Sequence, residues 1–177
     1  LSIVWLTPLV GMFILFLLPK ENKQLIRWVA NIIGFLGFLV SLPLVFWFDS
    51  SVAEYQFIEK VEWIPSLGVH YSLGLDGISL LLTMLTTVVG FLSILYSWSA
   101  IEERLKEYYA MFLLLQAGML GVFFAVDLFL FYVFWEIMLV PMYFIIGIWG
   151  GTRRLYAAIK FFLYTLFGSV FMLVAIL

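Results

Sequence analysis

The chain has no cysteine, a single histidine and very little charge: only 11% of its 177 residues are Asp, Glu, Lys or Arg. Without cysteine it can form no disulfide, thiolate zinc site or iron–sulfur cluster. His70 alone cannot hold a metal, so it reads as a surface histidine with no ligand role. A soluble domain carries about twice this fraction of charge, which excludes an ordinary water-soluble globule and a disordered chain. The net charge of −2 excludes the basic patch of a nucleic-acid binder. No glycine-rich phosphate loop, nucleophile elbow or metal-ligand spacing occurs, so the chain brings no group-transfer chemistry of its own. What fills the sequence is apolar: 66% hydrophobic residues, 20% aromatic, and a mean hydropathy of +1.17. That composition describes a polytopic protein whose solvent is lipid.

A helix crossing the hydrocarbon needs about 20 mostly apolar residues. Six stretches qualify: residues 2–18, which is short, then 27–48, 76–98, 108–126, 128–149 and 155–177. Together they predict one all-α membrane domain over residues 1–177. The apolar block from Tyr108 to Trp149 is roughly twice as long as the bilayer core is thick, so it must fold back, and Asp127 marks the place. The one long connection, 49–75, holds two extended runs, Tyr55–Ile64 and Val69–Leu73, around Pro65-Ser66-Leu67-Gly68, and predicts a small outer β-hairpin. The sequence opens on Leu1 without a basic leader and stops at Leu177 inside an apolar run, so it is expected to be part of a longer protein with no signal peptide here.

The connections carry the charge. Lys20, Lys23 and Arg27 follow the first span, Arg104 and Lys106 the third, and Arg153 and Arg154 the fifth. The opposite side has only Lys60, beside Asp49, Glu54, Glu59, Glu62 and Asp127. The positive-inside rule then places the first, third and fifth connections in the cytoplasm and the N-terminus outside. Trp28, Trp98 and Trp149 fall at the inner ends and Trp5 and Trp47 at the outer ends, as interfacial anchors do, while Trp135 lies mid-span.

The informative residues are those that do not belong in lipid. Glu136 sits at the middle of span five, where a charge costs roughly 3 kcal/mol on insertion scales, so it must face a protein interior or a water-filled cavity. Desolvation and a nearby cation act on its protonation in opposite senses, which suits a group that takes up and releases protons. Pro141, five residues on, has no N–H and frees the carbonyl of Ile137 beside the acid. Tyr132 and Tyr143 share the face of Glu136; packing is their expected role, with a hydrogen-bonded path as the alternative. Lys160, a turn and a half into span six, either snorkels to the headgroups or acts as a buried relay and counter-ion, and the second reading is preferred. An acid and an amine on adjacent antiparallel helices could set each other's protonation. Ser79, Thr83, Thr86, Gly90, Ser93 and Ser97 line one face of span three, and Ala117, Gly121 and Ala125 one face of span four; close helix packing explains both stripes. Glu102 and Lys106 are spaced for an ion pair on a solvated helix end.

The run Phe131-Tyr132-Val133-Phe134-Trp135-Glu136-Ile137-Met138-Leu139-Val140-Pro141-Met142-Tyr143, continued to Gly151, resembles the antiporter-like membrane subunits of respiratory complex I, NADH-quinone oxidoreductase. Leu73-Gly74-Leu75-Asp76-Gly77-Ile78-Ser79 and Ala157-Ala158-Ile159-Lys160-Phe161-Phe162-Leu163-Tyr164 match the same family. The Met-Leu-Val-Pro-Met-Tyr continuation after Glu136 favours its subunit M (chain 4) branch. The resemblance implies about fourteen helices in two inverted repeats, of which this chain covers the start. It implies that Glu136 is the acid of a proton half-channel, working with a lysine beyond Leu177. It implies no cofactor in this chain, with NADH, flavin, iron–sulfur clusters and quinone on other subunits, and neighbouring membrane subunits as partners. It favours a bacterial cytoplasmic membrane. Two rivals are a subunit of a multisubunit cation/proton antiporter, and a structural membrane module, against which a costly mid-membrane acid argues.

The charge asymmetry makes a direct prediction. Single cysteines placed at Lys20, Arg104 and Arg153 should resist an impermeant thiol reagent added outside intact cells, and labelling of the Arg153 position would falsify the orientation.

Overall fold

The computed structural model describes residues 1–176, so the expected end of the sixth span at Leu177 lies outside the described residues. The chain forms α1 (Ser2–Leu17), α2 (Lys23–Trp47), β1 (Gln56–Ile64), β2 (Val69–Leu75), α3 (Gly77–Ala100), α4 (Leu105–Phe124), α5 (Leu128–Trp149) and α6 (Arg154–Ile176). Five of these helices are long and apolar enough to cross a membrane; α1, at 16 residues, is shorter than the expected first span. The other boundaries move by a few residues. Helix α2 starts at Lys23 rather than 27, and α4 at Leu105 rather than 108.

The hairpin forms as the turn chemistry predicts. Strands β1 and β2 pair antiparallel, with Glu59 opposite Leu73 and Glu62 opposite His70. The reversal is made by a short 3-10 turn, Pro65–Leu67, and by Gly68 at φ 66°, a left-handed conformation that glycine adopts without steric cost. Strand β2 runs on to Leu75, two residues past the expected end. The link between α4 and α5 adds a fragment of a third strand: Leu73 bridges Ala125, and Val126 N–H donates to the Ser72 carbonyl at 2.9 Å.

Contacts sort the connections onto two faces. On one, Lys20 reaches Glu107 at 3.1 Å. There the α3–α4 link meets α2 and α5 through three successive carbonyls: Arg27 donates to Ile101, Lys23 to Glu102 and the Trp149 indole to Glu103, at 3.2, 3.1 and 3.0 Å. The three connections that hold seven of the nine basic residues therefore lie together. The opposite face is the hairpin with the link that carries Asp127. The Trp28 and Trp98 rings meet edge to face at 5.2 Å near the basic face, while Trp5 donates to the Tyr71 hydroxyl beneath the hairpin.

Helix α1 runs between these faces, antiparallel to α4, its principal neighbour. At 1.5 Å per residue it is only about 24 Å long, and it has no acidic residue in its first turn and no basic one in its last. Other elements supply both. The Glu59 carboxylate on β1 accepts the Ser2 N–H at 3.2 Å, and the Lys106 amine on α4 donates to the carbonyls of Phe16 and Leu18 at 2.7 and 2.6 Å. A carboxylate at the N-terminus and an ammonium at the C-terminus both match the helix dipole.

This corrects the expected Glu102–Lys106 pair. Residues 101–104 are not helical, and Arg104 has φ 51°, so the one-turn spacing does not bring those side chains together. Lys106 is buried under α1 instead.

Two apolar clusters fill the bundle. One, on the basic half, joins α1, α2, α3 and α4 around Leu15, Ile26, Ile94, Tyr109 and Leu113; the other joins α1, α2, α3, α4 and α5 to the hairpin around Leu44, Leu73, Leu75, Leu80, Leu120 and Phe134. Asp76 caps α3 by accepting the Ser79 N–H at 2.7 Å, and hydrogen bonds from Ser79 hold its carboxyl below the usual carboxylate range.

Replacing Lys106 with Met keeps the apolar stem but leaves the carbonyls at the end of α1 without a donor. The expected loss is roughly 1–3 kcal/mol, the cost of unmade buried hydrogen bonds. Unfolding of the purified protein by titration from mild into denaturing detergent measures it, and equal resistance of the Met variant and the parent would reject the cap.

Candidate functional site around Glu136

Helix α5 is held at both ends. At its start the Asp127 carboxylate accepts the N–H groups of Phe129 and Leu130 through one oxygen, at 2.9 and 3.0 Å. Its other oxygen accepts the His70 N–H of β2 at 3.1 Å, so one side chain both caps α5 and ties it to the hairpin. At the far end Trp149 packs on the Tyr108 ring and bonds the α3–α4 link. Along its length α5 lies between α4 and α6. The small residues of α4 face it as expected: a Cβ at Gly121 would strike the Phe134 ring, and one at Gly118 the Met138 side chain.

Glu136 stands near the middle of α5, half-buried. Its Oε1 is fully buried and has no hydrogen-bond partner among the described residues. Pro141 is buried within a helix that continues through it to Trp149. Tyr132, one turn before Glu136, neighbours both that carboxylate and Ser169 of α6. Tyr143 packs on the Phe162 ring of α6 at 5.5 Å, the packing role expected for it.

The register of α5 against α6 decides what meets Glu136. Gly147 lies against Ala158 and Tyr143 against Phe162, so facing residue numbers add to 305, and Tyr132 neighbours Ser169 from one turn further along α5. By that rule the residue level with Glu136 is Ser169, which is buried, and the residue level with Lys160 is Ile145. Nine residues of α5 separate those levels, about 13 Å along the axis. Lys160 is exposed, its amine 5.7 Å from the centre of the Tyr156 ring, and not buried as the sequence reading preferred. The two groups are on adjacent helices but do not meet. The link from Gly150 to Arg153 is too short to let α6 slide by two turns.

Sequence reasoning missed Ser169, an unremarkable residue in an apolar span. Counting back from the short link would have found it. It also read Asp127 only as a mark on the outer side. In the stripe on α3, Thr83 is buried as expected, but Thr87 rather than Thr86 is the next buried threonine. No group of three or more potential metal ligands occurs among the described residues.

Residues 125–177 match the family model described as NADH:quinone oxidoreductase/Mrp antiporter, TM. Over nearly its whole length the chain is 49% identical to NADH-quinone oxidoreductase subunit M of Rhodobacter capsulatus and 46% identical to NADH-ubiquinone oxidoreductase chain 4 of Arabidopsis thaliana. It spans about a third of those relatives, 34% and 36% of their lengths. A chain of the Thermus thermophilus respiratory complex I with bound NADH superposes with a TM-score of 0.83 at 32% identity, over 98% of this chain and 34% of that one. A chain of the Mrp complex from Dietzia sp. DQ12-45-1b superposes with a TM-score of 0.77 at 25% identity, over 97% of this chain and 19% of that one. The chain is thus a multi-pass membrane protein with the antiporter-like fold, and it resembles subunit M throughout.

If Asp127 anchors α5, its loss loosens the helix that carries Glu136. Asp127→Ala should cost about 1–2 kcal/mol, as for other N-cap deletions, and Asp127→Asn distinctly less, because an amide oxygen still accepts the cap bonds. Hydrogen exchange at Phe129 and Leu130 reads both, and unchanged protection in the Ala variant would remove Asp127 from this role.

Proposed function

We propose that the chain is part of a proton-translocating membrane subunit of an NADH:quinone oxidoreductase, a translocase in which electron transfer occurs on other subunits. NADH, flavin, iron–sulfur clusters and quinone belong to those subunits; this chain contributes a path for protons. Its partners are the other membrane subunits of that assembly, including further antiporter-like ones, and the lipid around them. A bacterial cytoplasmic membrane, with the N-terminus outside, accords with the identity to the Rhodobacter protein and with the basic residues gathered on one face.

The reading rests on Glu136, a carboxyl at mid-helix with one buried oxygen that is unpartnered among the described residues. A carboxylate held in lipid is costly. A structural role would leave it paired, whereas a proton carrier needs an open position through which the proton arrives and leaves. Tyr132 stands beside it with a hydroxyl able to orient that proton. Pro141 adds the free Ile137 carbonyl as an acceptor for water or a cation. Tyr143 supports the helix pair by packing. Lys160 is the second titratable group, nearer the basic face. It lies about 13 Å along the axis from Glu136, so exchange between them passes through water or through groups outside the described residues.

A subunit of a cation/proton antiporter is the second reading, favoured by the superposition on the Mrp chain. Flavin and iron–sulfur absorbance co-purifying with the protein separates the two, since only the oxidoreductase carries them.

Glu136→Gln should leave the assembly intact and reduce redox-driven proton pumping at least tenfold, since the amide cannot exchange a proton. Glu136→Asp should retain much more, because a carboxyl remains. Pumping is measured in vesicles against quinone reduction by the same preparation. Wild-type pumping by an assembled Gln variant rules out the carrier role.

A further inference from the structure

Six buried side-chain atoms lack a hydrogen-bond partner among the described residues, and only one belongs to Glu136. The other five, Arg27 Nε, Asn31 Oδ1, Tyr109 OH, Gln116 Oε1 and Thr83 Oγ1, come from α2, α3 and α4. They lie along one seam. Arg27 and Asn31 are one turn apart on α2, joined by the bond from Asn31 Nδ2 to the Arg27 carbonyl at 2.9 Å. Arg27 neighbours Tyr109 across the α2–α4 contact. Gln116 is two turns beyond Tyr109 on the same face of α4. Its amide rests on Gly90 of α3, where a Cβ would come within 2.7 Å of Nε2. One turn from Gly90, Thr87 meets Ser41 of α2 at 3.1 Å, and Thr83 is a turn further. From the carbonyl of Ile101, which Arg27 also binds, to Thr83 the seam follows α3 for about 27 Å, most of the hydrocarbon thickness.

These groups are not marginal surface atoms. Tyr109 and Thr83 are 0% exposed, Gln116 1% and Asn31 7%. A buried donor or acceptor left unmade costs about 1–3 kcal/mol, and lipid supplies no replacement partner. A helix bundle relieved of that cost by apolar residues would be more stable, so five such atoms along one line need a common partner. The set is mixed: Arg27 Nε donates, Asn31 and Gln116 accept, and the two hydroxyls do either. Water donates two hydrogen bonds and accepts two, and polar interior sites hold it whereas apolar ones stay dry.

We propose that the α2–α3–α4 seam is a binding site for internal water, entered from the basic face beside Arg27 and occupied at each unpartnered group. The site is separate from Glu136 and does not rest on the proton-carrier reading. It makes the interior of this half of the bundle wet along a line on which the sequence shows only scattered Ser, Thr and Gln.

The test is a water-resolving electron cryo-microscopy map of the full-length subunit in its native membrane assembly. Density peaks are expected about 3 Å from Tyr109 OH, Gln116 Oε1 and Thr83 Oγ1. Tyr109→Phe and Gln116→Leu should each remove the adjacent peak and leave the others. A map that resolves water elsewhere in the membrane region but none at these atoms overturns the proposal, as does direct pairing of the five atoms with other side chains. Radiolytic hydroxyl-radical labelling is a second reading that needs no variant. Tyr109, although buried, should be modified several-fold faster than the equally buried Phe124, and equal rates count against a hydrated seam.

Discussion

Lipid offers a peptide group no hydrogen bond, and every other arrangement in this structure is subordinate to that constraint. A helix satisfies its middle but leaves four donors at one end and four acceptors at the other. Long helices can carry those ends out to the headgroups. Helix α1 has no such margin, being only 16 residues long. Its ends are met by Glu59 from the hairpin and Lys106 from α4, a negative charge at its positive pole and a positive charge at its negative pole. Burying an amine is normally unfavourable. Here two carbonyls and the dipole offset the loss of water, so Lys106 is an expense that solves a larger one.

The same logic builds a frame around α5. Its first turn is closed by Asp127, which also grips the hairpin backbone, and its last turn by Trp149, which grips the α3–α4 link. The glycines of α4 admit Phe134 and Met138, so the helix beds closely on α4. Helix α6 is different. Only Ala158 and Ser169 are buried on it among the described residues, and beyond Arg154 at its start the rest of its surface is largely apolar and aromatic, with Lys160 exposed in it. The close-packed side of α5 is therefore the side toward α4, while the hydroxyls of Tyr132 and Ser169 neighbour each other between α5 and α6.

Most of the architecture was legible because lipid imposes strict rules. Apolar runs gave the helices, Pro65 and Gly68 gave the hairpin, and the basic residues gave the grouping of connections, with α1 at the limit of the length rule. Glu136 was legible for the opposite reason: it breaks the rule in the middle of a run. What escaped were relations between distant parts of the chain. Lys106 lies 88 residues from Leu18, and no local pattern announces that it caps another helix. Its helical spacing from Glu102 pointed to the wrong partner because the intervening backbone is not helical. Adjacency of two helices says nothing of heights, so the sequence left open whether Lys160 and Glu136 meet.

Height is also where the α5–α6 pair has an implication for how such a segment can vary. Facing residues keep a constant numerical sum because a four-residue bend fixes where the second helix begins. One residue inserted between Gly150 and Ser169 would turn everything after it by about 100° and move it by 1.5 Å. Ser169 would leave the level of Glu136, and Gly168, which has no hydroxyl, would take its place. The exposed apolar residues of this stretch can be exchanged among apolar types at little cost, but their number cannot change. For this part of the chain, spelling is tolerant and counting is not.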